Sequence, residues 1–447
     1  VSQAVTASGN ASGSTGSGST GSGSTALLTP AGTMLMLLSL SYFLAYFDRL
    51  LMAVVGEAVK NEFLLSDKQL SILTGASFVV LYGAFGIPGG WLADRISRKK
   101  IVAWSLAVWS CLTVFCGYSQ SFLQLAIARA GVGIGESALV PVANSALSDL
   151  YPVTRRPMAI AIFYAGGLIG ILACFLLGTW VATHHGWRAS FLVAGPPGLL
   201  LALLIAIFAR EPTREQTREP APKPVVSSAA GAVSSESSFL LVWRNRPLVW
   251  LLAGSAIATF VNIGVVQWLP NFFIRSHQLS LQQVGLYFGP VLSLGMTAGM
   301  LFGGWLGNRM AARSVTGLIW FSAYTMLAII PVYLLIFWLP SLTAALVATF
   351  IGTGLSVVYS PSYSAAWQTL CDPRARGTAG GLSSFANAIL GGALCSFFIG
   401  TLSDYWKPIL GQESLRYALM VGMSFSLIAA ACMIRSARLT KASDKRQ

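Results

Sequence analysis

Four residues that could do chemistry lie in stretches made otherwise of apolar side chains: Asp48, Arg49, Arg129 and Glu136. Carboxylates can take and release protons, and guanidinium groups hold anions in a planar fork while staying charged. A charged group at the centre of a bilayer costs several kcal/mol, so such residues are rare and usually functional. Two acids and two bases can also neutralise one another. The competing interpretation is an ion-pair network that only fixes one helix against another, since buried pairs are weak evidence for stability.

The elements that must position these groups are apolar spans. The chain has 447 residues, of which 55% are hydrophobic and 10% charged, against about 25% charged in an average soluble protein. That leaves too little polar surface to face water on all sides. Crossing the hydrocarbon of a bilayer takes about 20 residues. Twelve windows qualify: 33–57, 69–93, 101–120, 122–147, 158–183, 188–209, 248–274, 282–308, 315–338, 341–369, 377–403 and 415–435. The sequence therefore predicts an all-α membrane protein of twelve transmembrane helices. Its organisation reads as a Gly/Ser-rich segment over 1–32, a six-helix bundle over 33–209 and a linker over 210–247. A second six-helix bundle over 248–436 and a basic tail over 437–447 complete it. Residues 9–25 have the composition of a flexible linker. No Lys or Arg precedes Arg49, so the basic region of a secretory signal is missing.

Most of the 29 Lys and Arg fall in loops of one face, including Arg98, Lys99, Lys100, Arg155, Arg309 and Arg374. Lys60, Lys68, Arg188, Arg275, Lys407 and Arg416 fall on the other. Basic loops favour the cytoplasm, so both termini are expected there, in a cell membrane. Topology thus accounts for the net charge of +14; scattered basic loops form no groove for nucleic acid, and anionic membrane lipid is the expected electrostatic partner. The six cysteines and three histidines show no metal-ligand spacing. No phosphate loop or nucleophile–base pairing points to an enzyme, and no cofactor is expected.

An internal repeat divides the chain. Gly89-Gly90-Trp91-Leu92-Ala93-Asp94-Arg95 ends the second helix, and Gly303-Gly304-Trp305-Leu306-Gly307-Asn308-Arg309 ends the eighth. Gly133-Ile134-Gly135-Glu136-Ser137 on the fourth helix matches Gly352-Thr353-Gly354-Leu355-Ser356 on the tenth. The matches recur in order at nearly the same separation, which suits two pseudo-symmetric halves that rock about a central site. Asn308 and Leu355 replace Asp94 and Glu136, so the second half lacks both carboxylates.

The segment Gly90-Trp-Leu-Ala-Asp94-Arg95-Ile-Ser-Arg98-Lys99 resembles the signature of the major facilitator superfamily between helices two and three, with Ser97 where glycine is usual. Arg129-Ala-Gly-Val-Gly133-Ile-Gly135-Glu136 resembles its fourth-helix signature. Within that superfamily, Tyr46-Phe-Asp48-Arg49, Leu65-Ser-Asp-Lys-Gln-Leu-Ser-Ile-Leu-Thr-Gly75, Gly186-Trp-Arg-Ala-Ser-Phe191 and Arg210-Glu-Pro-Thr-Arg214 resemble spinster-like transporters. The resemblance implies the major facilitator fold, alternating access and, from animal members, lysolipids or sphingoid phosphates as cargo. The Asp-Arg and Arg…Glu pairs also resemble proton-coupled organic-anion symporters such as sugar-acid carriers.

At about 1.5 Å per residue, Asp48 lies about 21 Å from the inner face and Arg129 about 10 Å from the outer one. In a core of about 30 Å these depths coincide, which predicts that the two pair. Glu136, about 10 Å deeper on the fourth helix, reads as the less compensated acid. Arg49 points about 100° away from Asp48 and can face a central cavity. Asp48 and Glu136 are thus the proton-coupling candidates, with protons as the coupling ion, and Arg49 and Arg129 the anion-binding ones. Gly90, Asp94, Arg95 and Arg98 are expected to latch the inner side. The resemblance places helices seven and ten along the cavity, which adds Asn262, Gln267, Trp268, Tyr359 and Tyr363 as substrate contacts. The expected activity is proton-coupled transport, by a monomer, of an amphipathic or lipid-like anion. The alternatives are symport of a small hydrophilic anion, or a non-transporting receptor or scaffold.

Overall fold

The computed structural model describes residues 29–93, 96–152, 155–209, 238–311, 314–372 and 375–444. Eleven helical stretches among them are long and apolar enough to cross a membrane. The last, Thr378–Ala442, runs for 65 residues, about three times what a bilayer needs. It breaks at Gly411 (φ 58°) and the 3-10 turn Gly411–Glu413, and its two arms pack on each other. Counted separately, these arms bring the spans to twelve, as the sequence predicts. They are α1 (Pro30–Phe63), α2 (67–93), α3 (Arg98–Tyr118), α4 (122–150), α5 (156–185), α6 (Trp187–Phe208), α7 (Arg246–Ser276), α8 (281–311), α9 (Val315–Trp338), α10 (Leu342–Leu370), α11 (376–410) and α12 (Ser414–Asp444).

Local sequence explains where these helices begin. Thr29 caps α1 by accepting from the Gly32 N–H at 3.1 Å, ahead of Pro30 in the first turn. Such a side chain satisfies one of the orphan donors of a helix start. Reciprocal capping boxes, Ser66 with Gln69 and Ser280 with Gln283, open α2 and α8. They stand at matching places in the two halves, followed in each by a π-helical turn, Ile72–Ala76 and Val284–Phe288. Two boundaries differ from expectation. Apolar side chains of Ser238–Arg244, inside the expected linker, form a short helix whose Val242 packs with Leu248, Cys371 and Ala379. The expected tail is helical as far as Asp444. Residues 1–28 and 210–237 lie outside the described residues.

α1, α3, α5 and α6 pack together with α2 and α4, and α7 to α12 form a second bundle. The apolar core shows how the bundles meet. One cluster draws on both, from Leu51, Val55, Leu73 and Phe175 to Phe260, Phe273, Phe288 and Ile399. It lies at the end opposite the basic loops. Toward the basic-loop end the clusters separate, one built only from the first half and one only from the second. The halves are therefore fused at one end and parted at the other.

Two of the crossings in this fusion are especially close. The π turn of α8 meets the π turn Cys174–Gly178 of α5, so closely that a Cβ on Gly285 would stand 2.3 Å from the Phe175 carbonyl oxygen. The π turn of α2 meets that of α11, Asn387–Leu394, where a Cβ on Gly75 would stand 2.8 Å from the Gly392 oxygen. Only glycine fits at Gly285, so Gly285→Ala is expected to wedge this end open. Spin labels at Asn61 and Gln412, one on each half across the polar cleft there, would report it in a Cys111→Ser background that removes the one exposed thiol among the described residues. The alanine variant should enlarge the long-distance population; an unchanged distance distribution would count against this role.

Candidate functional site

The four charges come together near mid-membrane between α1, α2 and α4. Arg129 and Asp48 pair as their depths predict, with Arg129 Nη1 at 3.6 Å from Asp48 Oδ1 and donating to the Asp48 carbonyl oxygen at 3.3 Å. Arg129 is fully buried and Asp48 is 3% exposed. The other pair corrects the sequence reading. Glu136 is the more tightly held acid, because Arg49 Nη2 donates to its Oε1 directly. Asp48 is the looser one: among the described residues neither carboxylate oxygen has a hydrogen-bond partner. The physical reason is reach. The arginine side chain spans the depth that separates the two residues' backbones, which a rise-per-residue estimate leaves out.

Arg49 is not a bare cation facing a cavity. Its guanidinium lies 5.0 Å from the Tyr46 ring, 5.2 Å from Phe78 and 4.9 Å from Tyr82. Arg129 lies 5.3 Å from the same Phe78 ring. Aromatic faces attract cations electrostatically, so Phe78 is held between two guanidiniums. Gly133 sets that ring in place: a Cβ there would stand 2.4 Å from the Phe78 carbonyl oxygen, so α4 lies directly on the α2 backbone. About a fifth of the Arg49 side chain remains exposed (22%), against 2% for Glu136.

α4 is broken just after Glu136, into Phe122–Glu136 and Leu139–Leu150. Pro141 follows within the next turn and cannot donate to the carbonyl four residues back. Glu136 thus sits at a helix C-terminus, where the backbone dipole disfavours negative charge. Arg49 supplies the compensation.

The second-half residues serve largely to tie helices together. Asn262 donates to the Ser356 carbonyl oxygen at 2.8 Å, Gln267 accepts from Ser396 at 2.8 Å, and the Tyr363 and Ser383 hydroxyls meet at 2.8 Å. Trp268 and Tyr359 are buried. Of the expected latch residues, Asp94 and Arg95 lie outside the described residues, and Gly90 lies within the helix Ser77–Ala93. Arg98 pairs with Asp149 at 2.5 Å, inside the first half.

A charged latch between the halves stands at the other end. Asp67 of α2 is fully buried and accepts from Arg275 of α7 through both oxygens, at 2.7 and 2.8 Å. It also accepts from Lys60 and, at 2.7 Å, from Ser403 of α11. Arg275 Nε donates to Glu57 at 2.7 Å. Asp404 of α11 accepts from the Asp67 and Lys68 backbone N–H groups at 2.8 and 2.7 Å, capping a helix of the opposite half.

Comparison with known proteins agrees with this architecture. The family model of the major facilitator superfamily matches residues 38–396. The chain belongs to the major facilitator superfamily. It is a multi-pass membrane transporter and not an enzyme. It is similar to an MFS-type efflux pump of Mycolicibacterium smegmatis, 29% identical over 395 residues that cover 87% of this chain and 88% of the relative. A cis,cis-muconate transport protein of Acinetobacter baylyi is 28% identical over 277 residues, 60% of this chain and 63% of the relative. A crystal structure of a bacterial homologue of the human lysosomal transporter spinster, inward-facing and unoccupied, superposes with a TM-score of 0.79 at 27% identity. That match covers 92% of this chain and 97% of the solved one.

The transporter's sequence carries further signals of this site. Tyr46 stands one turn before Arg49, and Tyr82 one turn after Phe78, so both flank the charges at helical spacing. Asp67 and Arg275, at the mouths of their helices, are indistinguishable in sequence from loop charges. Removing one partner of a buried, hydrogen-bonded pair costs about 3–5 kcal/mol. Asp67→Ala is accordingly expected to depopulate the conformation closed at this end, seen as faster alkylation of a cysteine placed at Asn61. Unaltered alkylation kinetics would show that the latch carries little of the closure.

Proposed function

We propose that this transporter couples protons to the movement of an amphipathic organic anion, using Arg49 as a cation shared between Glu136 and the cargo. The observation that carries the reading is the Arg49–Glu136 pair itself: the cation is partly accessible and ringed by Tyr46, Phe78 and Tyr82, while its acid is buried. An incoming carboxylate or phosphate competes with Glu136 for the guanidinium, which favours bidentate oxyanions. Released into a low-dielectric site, Glu136 takes up a proton, since a buried carboxylate without a counter-charge resists ionisation. Protonation of Glu136 in turn frees Arg49, so each event favours the other, as reciprocal linkage requires. Asp48, whose oxygens lack hydrogen-bond partners, is the second proton site, with Arg129 as its counter-charge.

Alternating access then means opening the Asp67–Arg275 end while the other closes. Gly90, Asp94, Arg95 and Arg98 are assigned to the latch at the basic-loop end, where Arg98 already bridges α3 and α4. The basic loops and both termini are assigned to the cytoplasmic side, in the cell membrane, and the working unit to the monomer. The apolar part of the cargo faces the second half, where the polar tips of Asn262, Gln267 and Tyr363 are engaged between helices and Trp268 and Tyr359, buried in this conformation, add ring surface once the halves rearrange. A smaller, hydrophilic organic anion is the second reading, favoured by the muconate transport protein among the relatives.

Uptake into proteoliposomes under an imposed pH gradient tests the proposal, with lysolipids, sphingoid phosphates and small organic acids as candidate cargo. Glu136→Gln should abolish the response to the gradient while leaving exchange of cargo across the membrane intact. Arg49→Gln should weaken both, with KM for the cargo raised about tenfold or more, the scale of one charge-assisted contact. Gradient-driven uptake by a protein carrying both Asp48→Asn and Glu136→Gln would refute the proton role.

A further inference from the structure

A groove of about 490 Å³ runs along the seam of α3 and α4 on the outer surface of the first half, lined by Lys100, Trp104, Val108, Ile134, Gly135 and Ala138. Lys100, Trp104 and Val108 are spaced one turn apart, so the groove runs about 12 Å down α3 from the basic-loop end. Its walls are apolar and face outward: Trp104 is 71% exposed and Val108 44%. Lys100 is exposed at the mouth, in no ion pair among the described residues, whereas neighbouring Arg98 is engaged by Asp149.

We propose that this groove is a binding site for one anionic phospholipid of the leaflet beside the basic loops. The acyl chain lies along Trp104 and Val108 and the phosphate meets Lys100. Charge argues for that occupant over any lipid. The same helix seam has a second groove at its other end, about 330 Å³, lined by Leu112, Phe115, Tyr118, Ser119, Gln124 and Ile127; the cation beside it, Arg188 on the Ser119 carbonyl, is already paired with Glu62. Both grooves face hydrocarbon, and only one pairs an apolar slot with a free ammonium at headgroup depth. Tryptophan beside that depth is the residue that suits a membrane interface, and a cation there attracts anionic lipid.

The site also bears on coupling. Its floor is the break in α4: Ser105 of α3 donates its hydroxyl to the Gly135 carbonyl oxygen, one residue before Glu136. A Cβ on Gly135 would stand 2.8 Å from the Trp109 Cβ, so no slack separates the groove from the helix that carries the acid. A lipid seated here stiffens the wall against which Glu136 holds Arg49. This assignment stands independently of the cargo.

Photo-crosslinking in nanodiscs tests it. The probe is phosphatidylglycerol with a diazirine in its acyl chain, diluted in phosphatidylcholine, with adducts mapped by mass spectrometry. Adducts should concentrate in residues 100–108 and 134–138. Lys100→Gln should lower their yield about fivefold, the weight of one cation near an anionic surface. Gln124→Ala, in the uncharged groove, should leave the yield unchanged and serves with size-exclusion profiles as the folding control. A phosphatidylcholine probe should label the two grooves alike. Equal labelling of both grooves by the anionic probe, or a wild-type yield in Lys100→Gln, would overturn the proposal.

Discussion

Burying charge where there is no water is the constraint from which the rest of this transporter follows. Arg49 and Glu136 meet inside a membrane-spanning bundle, where either alone would be severely destabilising. The first half is built to make the meeting unavoidable. Gly133 brings α4 onto the α2 backbone, Phe78 then falls between two guanidiniums, and the break after Glu136 ends the helix where the acid needs its partner most. Such a site is stable as a whole and sensitive in each part.

The two halves share a plan and differ in use. Capping boxes open α2 and α8, and π turns follow both. At two of the crossings between halves a π turn faces another: α2 on α11 and α5 on α8. Such turns are costly to keep and tend to mark functional positions. Here they mark the two contacts about which the halves can pivot. The charges follow no such symmetry. At mid-membrane they belong to the first half, and at the latch Arg275, Ser403 and Asp404 of the second half converge on Asp67 of the first.

Much of this was legible in the sequence, for physical reasons that differ by feature. Twelve spans, the repeat and the family could be read because apolar length and glycine-rich motifs are local properties of the chain. The Asp48–Arg129 pair could be read because helical rise converts sequence position into depth. Arg49 and Glu136 could not be paired that way, since a long side chain covers a depth that backbone counting assigns to no contact. The latch escaped for another reason. Asp67 and Arg275 are brought together only by the docking of one half on the other, and a charge at a helix mouth looks the same whether it meets water or a partner. The short helix within the linker escaped because Ser238–Arg244 is too short to read as a span yet apolar enough to pack.

Phe78 has a consequence for the proposed proton coupling. One ring faces both Arg49 and Arg129, and each arginine holds a different acid. Whatever draws Arg49 away also changes the surface on which Arg129 rests, so the grip on Asp48 changes with the grip on Glu136. Under the proposed coupling, the two carboxylates act as an interacting pair with shared, macroscopic constants and not as two independent sites. On that proposal, proton stoichiometry is a property of the aromatic ring between the cations as much as of the acids themselves.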